Sequence, residues 1–267
     1  MSQHVTRRIR VLVKAFPQPS AKHEETVCCA GVCEDTGELL RLFPIRYRRL
    51  DAANRFNRYD LVSMTVTKAS DPRPESYRVD EGSIRLLERG KGLSDQQKVK
   101  LWQPFIAPSL TALEDDNKNS HRSLGIIRPD PDSLVFKVKP VAEADEDEQE
   151  VTNLVYQQQA SLLEEPLTPL ASPEVHFGYE FRSDGHQHWR TIQDWEVQAA
   201  YLAYQRRYRT KEKALEMMTQ EYGQNIPTRN LHFIMGTMAK RRWQFILIGL
   251  LRSGLDPEEL GKQGALF

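Results

Sequence analysis

The sequence has few cysteines and no long hydrophobic run. Its longest uninterrupted apolar stretch extends only from Phe245 to Leu251, whereas a helix that crosses a bilayer needs about 20 apolar residues. Residues 1–10 are polar and basic, and no apolar segment follows them, in contrast to a secretory signal peptide. We therefore expect no membrane span, no membrane partner and a cytoplasmic location.

The three cysteines, Cys28, Cys29 and Cys33, fall within six residues on one predicted strand. Adjacent side chains of a strand point to opposite faces, and residues four apart lie about 13 Å from each other. These spacings do not suit an intrachain disulfide, and no CxxC motif is present to place two sulfurs on one metal ion. The pattern predicts reduced, half-buried thiols.

Several catalytic and nucleotide-binding motifs are also missing. The chain contains no GxxxxGK[ST], no GxGxxG after a strand, no GxSxG and no HExxH. These patterns belong to P-loop nucleotide hydrolases, Rossmann dinucleotide sites, serine hydrolases and zinc proteases. Their absence argues against those classes and favours a protein without catalytic activity.

The composition is that of an ordinary globular protein, but the charges are unevenly distributed. The 267 residues include 37 basic and 37 acidic side chains, so the formal net charge is zero. Segment 41–58 has six arginines against one aspartate, segment 141–174 has nine acidic residues and no basic one, and segment 206–252 has ten basic residues against three glutamates. The neutral total therefore hides two basic regions on either side of an acidic one.

The pattern of apolar residues predicts an α+β protein whose first part is rich in β-structure and barrel-like. Runs rich in β-branched residues predict strands over Arg8–Ala15, Glu25–Cys33 and Glu38–Phe43. The last two are joined by an Asp- and Gly-containing turn that suits a hairpin. Ser94 and Gln97 have the spacing of a capping box, which predicts the start of a helix.

The last third of the sequence predicts a mixed arrangement. A strand is expected over Val175–Phe181, followed by helices that begin near Asp194 and Lys211. Apolar runs over Leu231–Met235 and Trp243–Leu251 predict a terminal β-hairpin. The predicted organisation is a β-rich domain over residues 1–140, an acidic, proline-containing linker or insertion over 141–174, and an α+β domain over 175–267.

The basic segment 41–58 is the clearest candidate for a nucleic-acid surface. Clustered guanidinium groups neutralise phosphates, and interleaved aromatic rings stack on exposed bases. The predicted contacts in this segment are Arg41, Arg46, Tyr47, Arg48, Arg49, Arg55 and Arg58. The same spacing suits a solvated strand and loop whose aromatic rings face the core, and the sequence leaves both interpretations open.

Two smaller groups of charged residues are further candidates. Lys240, Arg241 and Arg242 lie at the tip of the predicted terminal hairpin, where they could enter a nucleic-acid groove or protect the hairpin from aggregation. The proline-stiffened loop 71–78 carries Arg73, Glu75 and Arg78. A stiff loop with both charges is either a ligand clamp or a structural loop whose charges pair with each other.

One group of residues has a spacing typical of metal ligands. On an extended segment, the imidazoles of His186 and His188 share one face, and Asp194 or Glu196 could complete a divalent metal site. Such an ion would activate water for hydrolysis. Ordinary surface histidines are the alternative, and no cofactor is expected in that case.

Several strings along the chain together resemble a family of uncharacterised prokaryotic proteins. They are Glu25–Gly31, Gly37–Arg46, Arg73–Tyr77, Asp194–Glu196 and Phe233–Thr237. The resemblance spans most of the chain and carries no established activity or catalytic residue. Members of this family look like genes of phage-defence or mobile-element neighbourhoods, which implies a role connected with nucleic acid.

These observations lead to one principal hypothesis and two alternatives. The principal hypothesis is an accessory protein that binds nucleic acid, DNA or RNA, through its arginine-rich β segments. The first alternative is a metal-dependent nuclease or hydrolase centred on His186 and His188. The second is a protein-interaction subunit in which the acidic residues 143–150 dock on a basic partner.

Overall fold

A computed structural model of the chain describes residues 4–20, 24–140, 167, 174–238 and 241–255. It confirms the predicted α+β class, with a sheet-rich N-terminal part followed by a part that contains two helices and a strand hairpin. The acidic segment 143–150 and Lys240 lie outside the described residues. The hypotheses that rest on them stay predictions.

The N-terminal part is built from strands that close on themselves. The strands are β1 (Val5–Lys14), β2 (Gln18–Ser20), β3 (Glu24–Cys33), β4 (Leu39–Ile45), β5 (Leu61–Lys68) and β6 (Ser76–Glu88). Strand β1 pairs with both β5 and β3, and the order continues from β5 through β6 and β4 back to β3. The result is the barrel-like unit that the sequence predicts.

Side chains that alternate along these strands fill the interior of the barrel. Ile9 and Val11 of β1, Leu42 of β4 and Met64 of β5 are completely buried in one apolar cluster. Alternation places every second residue on the same face, so the intervening residues point away from this cluster. Arg41 and Phe43 of β4 are such residues.

The following strands form two smaller sheets in the described part of the chain. The strands are β7 (Ile106–Ala107), β8 (Leu124–Ile127), β9 (Val135–Pro140), β10 (Val175–Ser183), β11 (His186–Thr191), β12 (His232–Met238) and β13 (Arg241–Leu251). One sheet has the order β13-β12-β8-β7 and the other the order β11-β10-β9. Antiparallel pairing of β12 with β13 confirms the predicted terminal hairpin.

The helices begin where the sequence places suitable caps. They are α1 (Asp95–Trp102), α2 (Leu110–Ser120), α3 (Trp195–Tyr208) and α4 (Lys211–Met218). Ser94 and Gln97 form the predicted capping box, and the Asp194 carboxylate accepts from the backbone of Glu196 at 3.0 Å to cap α3. A π-helical turn over Thr219–Asn225 follows α4. No helix in these ranges is long and apolar enough to cross a membrane.

Strands on both sides of the acidic segment share the same sheets. Strand β8 pairs with β12, and β9 pairs with β10, so residues 106–140 are joined by backbone hydrogen bonds to the C-terminal part. The sequence predicts two domains, over residues 1–140 and 175–267, as units that fold independently. That division stays a prediction.

The barrel and the C-terminal part meet along a short stretch of chain before α3. The backbone of Phe16 donates to Gln193 at 2.7 Å, and the backbone of Gln193 donates to Leu247 at 2.8 Å. Beneath this junction, Leu12 of β1 and Ile248 of β13 belong to one apolar cluster. The junction also borders two concave regions of the surface.

Candidate ligand-binding cleft

Most arginines of segment 41–58 are held by acceptors of the protein itself. The Arg46 guanidinium lies 2.8 Å from the Glu81 carboxylate, and that of Arg48 lies 2.8 Å from the buried Glu25 carboxylate. Arg55 donates to the backbone carbonyl of Arg48 at 3.0 Å. These guanidinium groups are therefore partly neutralised or hydrogen-bonded already, and their contact with nucleic acid stays a prediction.

Arg58, Tyr47 and Arg49 are also engaged inside the protein. Arg58 donates to the Asp194 carboxylate at 2.6 Å. Tyr47 is buried, its hydroxyl donates to the backbone carbonyl of Phe56 at 2.6 Å, and the two rings pack edge to face. Arg49 is not free of partners either. The buried Tyr47 ring does not present a face on which a base could stack.

The residues predicted to bind a metal are not gathered into one site. His186 and His188 lie on β11, and burial lowers the pKa of His188. Asp194 caps α3 and pairs with Arg58, which also lies 3.1 Å from Glu196. Among the residues that the structure describes, no three His, Cys, Asp or Glu side chains form a metal-binding group. The structure therefore assembles no metal site from these four residues.

An apolar cleft of about 510 Å³ opens between the barrel and the terminal hairpin. Its walls include Phe43 of β4, Tyr77 of β6, Met238 of β12, and Ile246 and Ile248 of β13. Phe43 is 44% exposed and Met238 is 41% exposed, which is unusual for side chains of this size. Large exposed apolar side chains around a concave surface are typical of a binding site.

Arg41 lies at the base of this cleft and is only 6% exposed. Its Nη2 donates to the backbone carbonyl and the hydroxyl of Ser123, both at 3.0 Å, and its Nη1 lies 3.6 Å from the Cys28 sulfur. Its backbone N–H donates to the carbonyl of Glu75 at 2.9 Å. The positive charge of Arg41 is thus oriented by fixed hydrogen bonds rather than by solvent.

Glu75 compensates this buried charge through Ser123. One Glu75 carboxylate oxygen accepts from the backbone N–H of Ser123 at 2.8 Å and also from the Ser123 hydroxyl. Ser123 therefore connects the Arg41 guanidinium to the Glu75 carboxylate. Because buried charges are costly without such connections, the three residues stabilise each other only as a set.

The charged loop 71–78 forms one edge of the cleft. The Asp71 carboxylate accepts from the Arg73 backbone at 3.0 Å and from its Nε at 2.7 Å, and Arg73 also donates to the backbone carbonyl of Thr237 at 3.3 Å. These bonds hold the pKa of Asp71 below its usual value. The loop is self-paired through Asp71 and Arg73 and attached to the hairpin. Its role as a ligand clamp stays a prediction.

Basic side chains lie at the outer edge of the same loop and hairpin. Arg78 is exposed and lines the cleft. Arg241 and Arg242 are exposed at the start of β13, and the positive charge of Arg242 contributes to the lowered pKa of Asp71. The structure therefore brings the predicted loop and the predicted hairpin tip to one side of the protein, beside Arg41.

Buried polar atoms without a hydrogen-bond partner are concentrated at this cleft. In the described ranges, seven buried side-chain nitrogen or oxygen atoms have no partner. Three of them belong to residues that line the cleft: Arg41 Nε, Ser76 Oγ and Thr237 Oγ1. A fourth, Glu75 Oε2, belongs to the residue that shares Ser123 with Arg41. Because such atoms cost free energy in a native protein, their grouping indicates a place where a ligand supplies the partners.

Two family models together match most of the chain. Residues 107–266 match the domain of unknown function DUF8757. The chain belongs to this family. Residues 5–104 match the domain of unknown function DUF8758. No curated protein matches the chain. The result confirms the predicted relation to an uncharacterised family, and the cleft draws residues from both matched regions.

Sequence reasoning found part of this cleft and missed the rest. It selected Arg41, Arg73, Glu75 and Arg78, but assigned them to separate surfaces. It missed Thr237. A signal for this residue was present, because three of the strings that carry the family resemblance contribute residues to the cleft: Gly37–Arg46, Arg73–Tyr77 and Phe233–Thr237. The contact with Ser123 had no such signal.

Proposed function

We propose that the protein binds single-stranded nucleic acid and that one unstacked base enters the cleft. The grouping of partnerless polar atoms beneath exposed apolar walls carries this proposal. A nucleobase has apolar faces and a polar edge, so it matches both parts of the cleft. Phe43 provides a ring for stacking, while Arg41, Ser76 and Thr237 offer hydrogen-bonding groups to the base edge.

The basic side chains at the edge of the cleft support contacts to phosphate. Arg78, Arg241 and Arg242 are all exposed. Guanidinium groups bind phosphate oxygens through charge-assisted hydrogen bonds, and they fix the strand without reading its sequence. In this proposal the arginines position the backbone, and the cleft selects an accessible base.

The cleft favours an unpaired strand over a duplex. A base must leave the stack before its faces and its edge can be enclosed together, and this step costs least in a single strand. The proposed role is one of binding rather than catalysis. Arg41 and Glu75 both form hydrogen bonds with Ser123, so these charged side chains are already held in structural contacts. We propose that it is an accessory role in the cytoplasm, within a prokaryotic defence or mobile-element system.

A binding assay on matched variants tests the role of the cleft. We expect a fluorescein-labelled single-stranded oligonucleotide to bind the wild type more tightly than the same sequence as a duplex. Phe43→Ala should weaken single-strand binding about tenfold, because stacking on an aromatic ring contributes ~1–3 kcal/mol per base. The control is Leu87→Ala, since Leu87 is 51% exposed and does not line the cleft.

A second pair of variants tests the phosphate contacts. Arg78→Gln should weaken binding of all sequences alike. It should also reduce the slope of the logarithm of the binding constant against the logarithm of the salt concentration by about one. Arg207→Gln on α3 is the control, because Arg207 is exposed and does not line the cleft. The proposal is wrong if neither single nor double strands bind, or if Phe43→Ala and Leu87→Ala bind equally well.

A further inference from the structure

A second concave site lies on the other side of the junction between the barrel and the C-terminal part. This cavity of about 390 Å³ is lined by the segment 57–60, by residues around the start of α1 and by the ends of α3, the π-helical turn and β13. None of its lining residues also lines the cleft. It is therefore a separate site, and the proposed function does not use it.

The acidic side chains that line this cavity already have cationic partners. Arg58 pairs with Asp194 at 2.6 Å and with Glu196 at 3.1 Å. Two further pairs account for the remaining lining carboxylates: Arg89 with Asp60 at 2.9 Å, and Lys98 with Asp95 at 3.3 Å. Arg58 serves two carboxylates, so these pairs alone leave one negative charge. The six basic and four acidic side chains of the whole lining give it a net charge of +2.

Positive charge remains after these pairs are formed. Lys91 and Arg229 line the cavity, and no carboxylate of the described residues lies within salt-bridge distance of either. Arg252 also lines it and only approaches Glu221 at 3.8 Å. Like charges that converge on one cavity repel each other, and an anion between them would relieve that repulsion.

The backbone around this cavity is unusual at two places. Tyr59 has a φ of 66°, a left-handed conformation that bulky residues rarely adopt. A π-helical turn contributes Tyr222 to the lining of the same cavity. Strained residues and π-helical turns persist mainly where a site requires them, so their meeting at one cavity is a sign of function independent of the charges.

Hydrogen bonds hold the cavity in a fixed shape. The Asp60 carboxylate accepts from the backbones of Asn57 at 2.9 Å and Gly90 at 2.8 Å. The Asp95 carboxylate accepts from the backbone of Gly254 at 2.9 Å. These bonds connect barrel, helix and C-terminal segments, so a ligand would meet a preformed site and would lose little affinity to reorganisation.

We propose that this cavity binds a phosphate group between Lys91, Arg229 and Arg252. A phosphate dianion offers several strong acceptor oxygens and matches three cations that line one cavity better than a monovalent carboxylate does. The group is either free inorganic phosphate or the phosphate of a small metabolite. A mononucleotide is a suitable representative of the second source, since the cavity has room beyond the phosphate itself.

Calorimetric titration of the full chain at constant ionic strength tests this site. Inorganic phosphate should bind the wild type measurably, and acetate should bind at least about tenfold more weakly. Lys91→Gln combined with Arg229→Gln should weaken phosphate binding about tenfold or more. Lys100→Gln is the control, because Lys100 is exposed on α1 and lies outside the cavity lining.

An adenosine monophosphate titration distinguishes the two sources. Tighter binding of the nucleotide than of phosphate supports a phosphorylated metabolite, and equal or weaker binding supports free phosphate. Backbone amide shifts of Gly90 and Gly254 should follow either titration, since both residues line the cavity. No binding by the wild type, equal binding of acetate, or unchanged binding by the double variant would overturn the proposal. Phe43→Ala should leave phosphate binding intact, which separates this test from that of the cleft.

Discussion

Arg41 of β4 and Gly236 of β12 approach each other so closely that a side chain at position 236 would be in tight contact with the guanidinium. A Cβ atom there would lie 3.1 Å from Arg41 Nη2 and 3.0 Å from a methyl carbon of Ile248. The two strands belong to different sheets. The missing side chain of Gly236 thus makes room for the guanidinium at the base of the cleft.

We expect Gly236→Ala to destabilise the protein and to impair ligand binding together. The added methyl group must displace Arg41 or the packed Ile248, and overpacking of this kind costs roughly 1–3 kcal/mol. Urea unfolding and oligonucleotide binding measure the two effects. Gly82→Ala is the control, because its nearest contact would be an ordinary 3.5 Å. Unchanged stability and binding of Gly236→Ala would contradict the described approach of the two residues.

Replacement of Arg58 by Met should be among the most damaging single changes. Asp194 is only 1% exposed, so the loss of Arg58 leaves a buried carboxylate without its cation. Removal of one partner from such a pair typically costs about 3–5 kcal/mol. Adding Asp194→Asn to the Arg58→Met variant should restore part of this loss. Urea unfolding of the single and double variants measures the effect, and Arg207→Met is the control.

The stability difference between the Arg58→Met variant and the wild type should also depend on pH. Burial raises the pKa of Asp194, and Arg58 opposes that shift in the wild type. Without Arg58, the folded-state pKa rises further above the unfolded value, so protonation at low pH stabilises the folded form and that stability is lost as the pH rises. The stability gap to the wild type should therefore narrow towards acidic pH. A gap that widens there would contradict this account.

Asp71→Asn tests a carboxylate at the edge of the cleft whose pKa is shifted in the opposite direction from that of Asp194. Hydrogen bonds from Arg73 lower the folded-state pKa of Asp71, so its stabilising contribution is present above the unfolded pKa of about 3.9 and is lost as the pH falls through the folded value. We expect a loss on the order of 2 kcal/mol near neutral pH. The loss should shrink as the pH falls below the unfolded pKa of about 3.9.

Urea unfolding across this pH range measures the effect of Asp71→Asn. The matched control is Asp132→Asn, because Asp132 is exposed on the surface. An equal loss of stability at neutral and acidic pH would show that the carboxylate charge is not responsible.

Gly90→Ala should distort the second cavity. A Cβ atom on residue 90 would lie 2.3 Å from the Tyr59 backbone carbonyl, so the strained turn at Tyr59 would have to move. We expect a loss of roughly 1–3 kcal/mol in the free energy of unfolding. Gly92→Ala is a close control, since its Cβ would meet nothing within 4 Å. Equal stability of the two variants would contradict this prediction.

Local patterns in the sequence predicted much of the fold. The hairpin of β3 and β4, the capping box at Ser94 and the start of α3 at Asp194 all occur where expected. Each depends on residues close together in the chain, such as a turn between apolar runs or a side chain that bonds to a nearby backbone N–H. The pairing of β8 with β12 depends on residues about 110 positions apart and had no comparable signal.

The candidate site was predictable only in fragments. The sequence selected Arg41 as part of the arginine-rich segment 41–58 and Glu75 as part of the proline-stiffened charged loop 71–78. It could not indicate that Ser123 connects them. It also assigned Arg46 and Arg48 to phosphate, whereas the structure pairs them with Glu81 and Glu25.

The sequence by itself determined the α+β class, the positions of many strands and helix starts, and the residue types available for recognition. These properties follow from periodicity and capping, which act over a few residues. Only the tertiary structure decided which charges are neutralised and which polar atoms of Arg41, Ser76 and Thr237 lack partners. Packing brings distant strands together, and an electrostatic interaction depends on distance and burial in space rather than on separation along the chain.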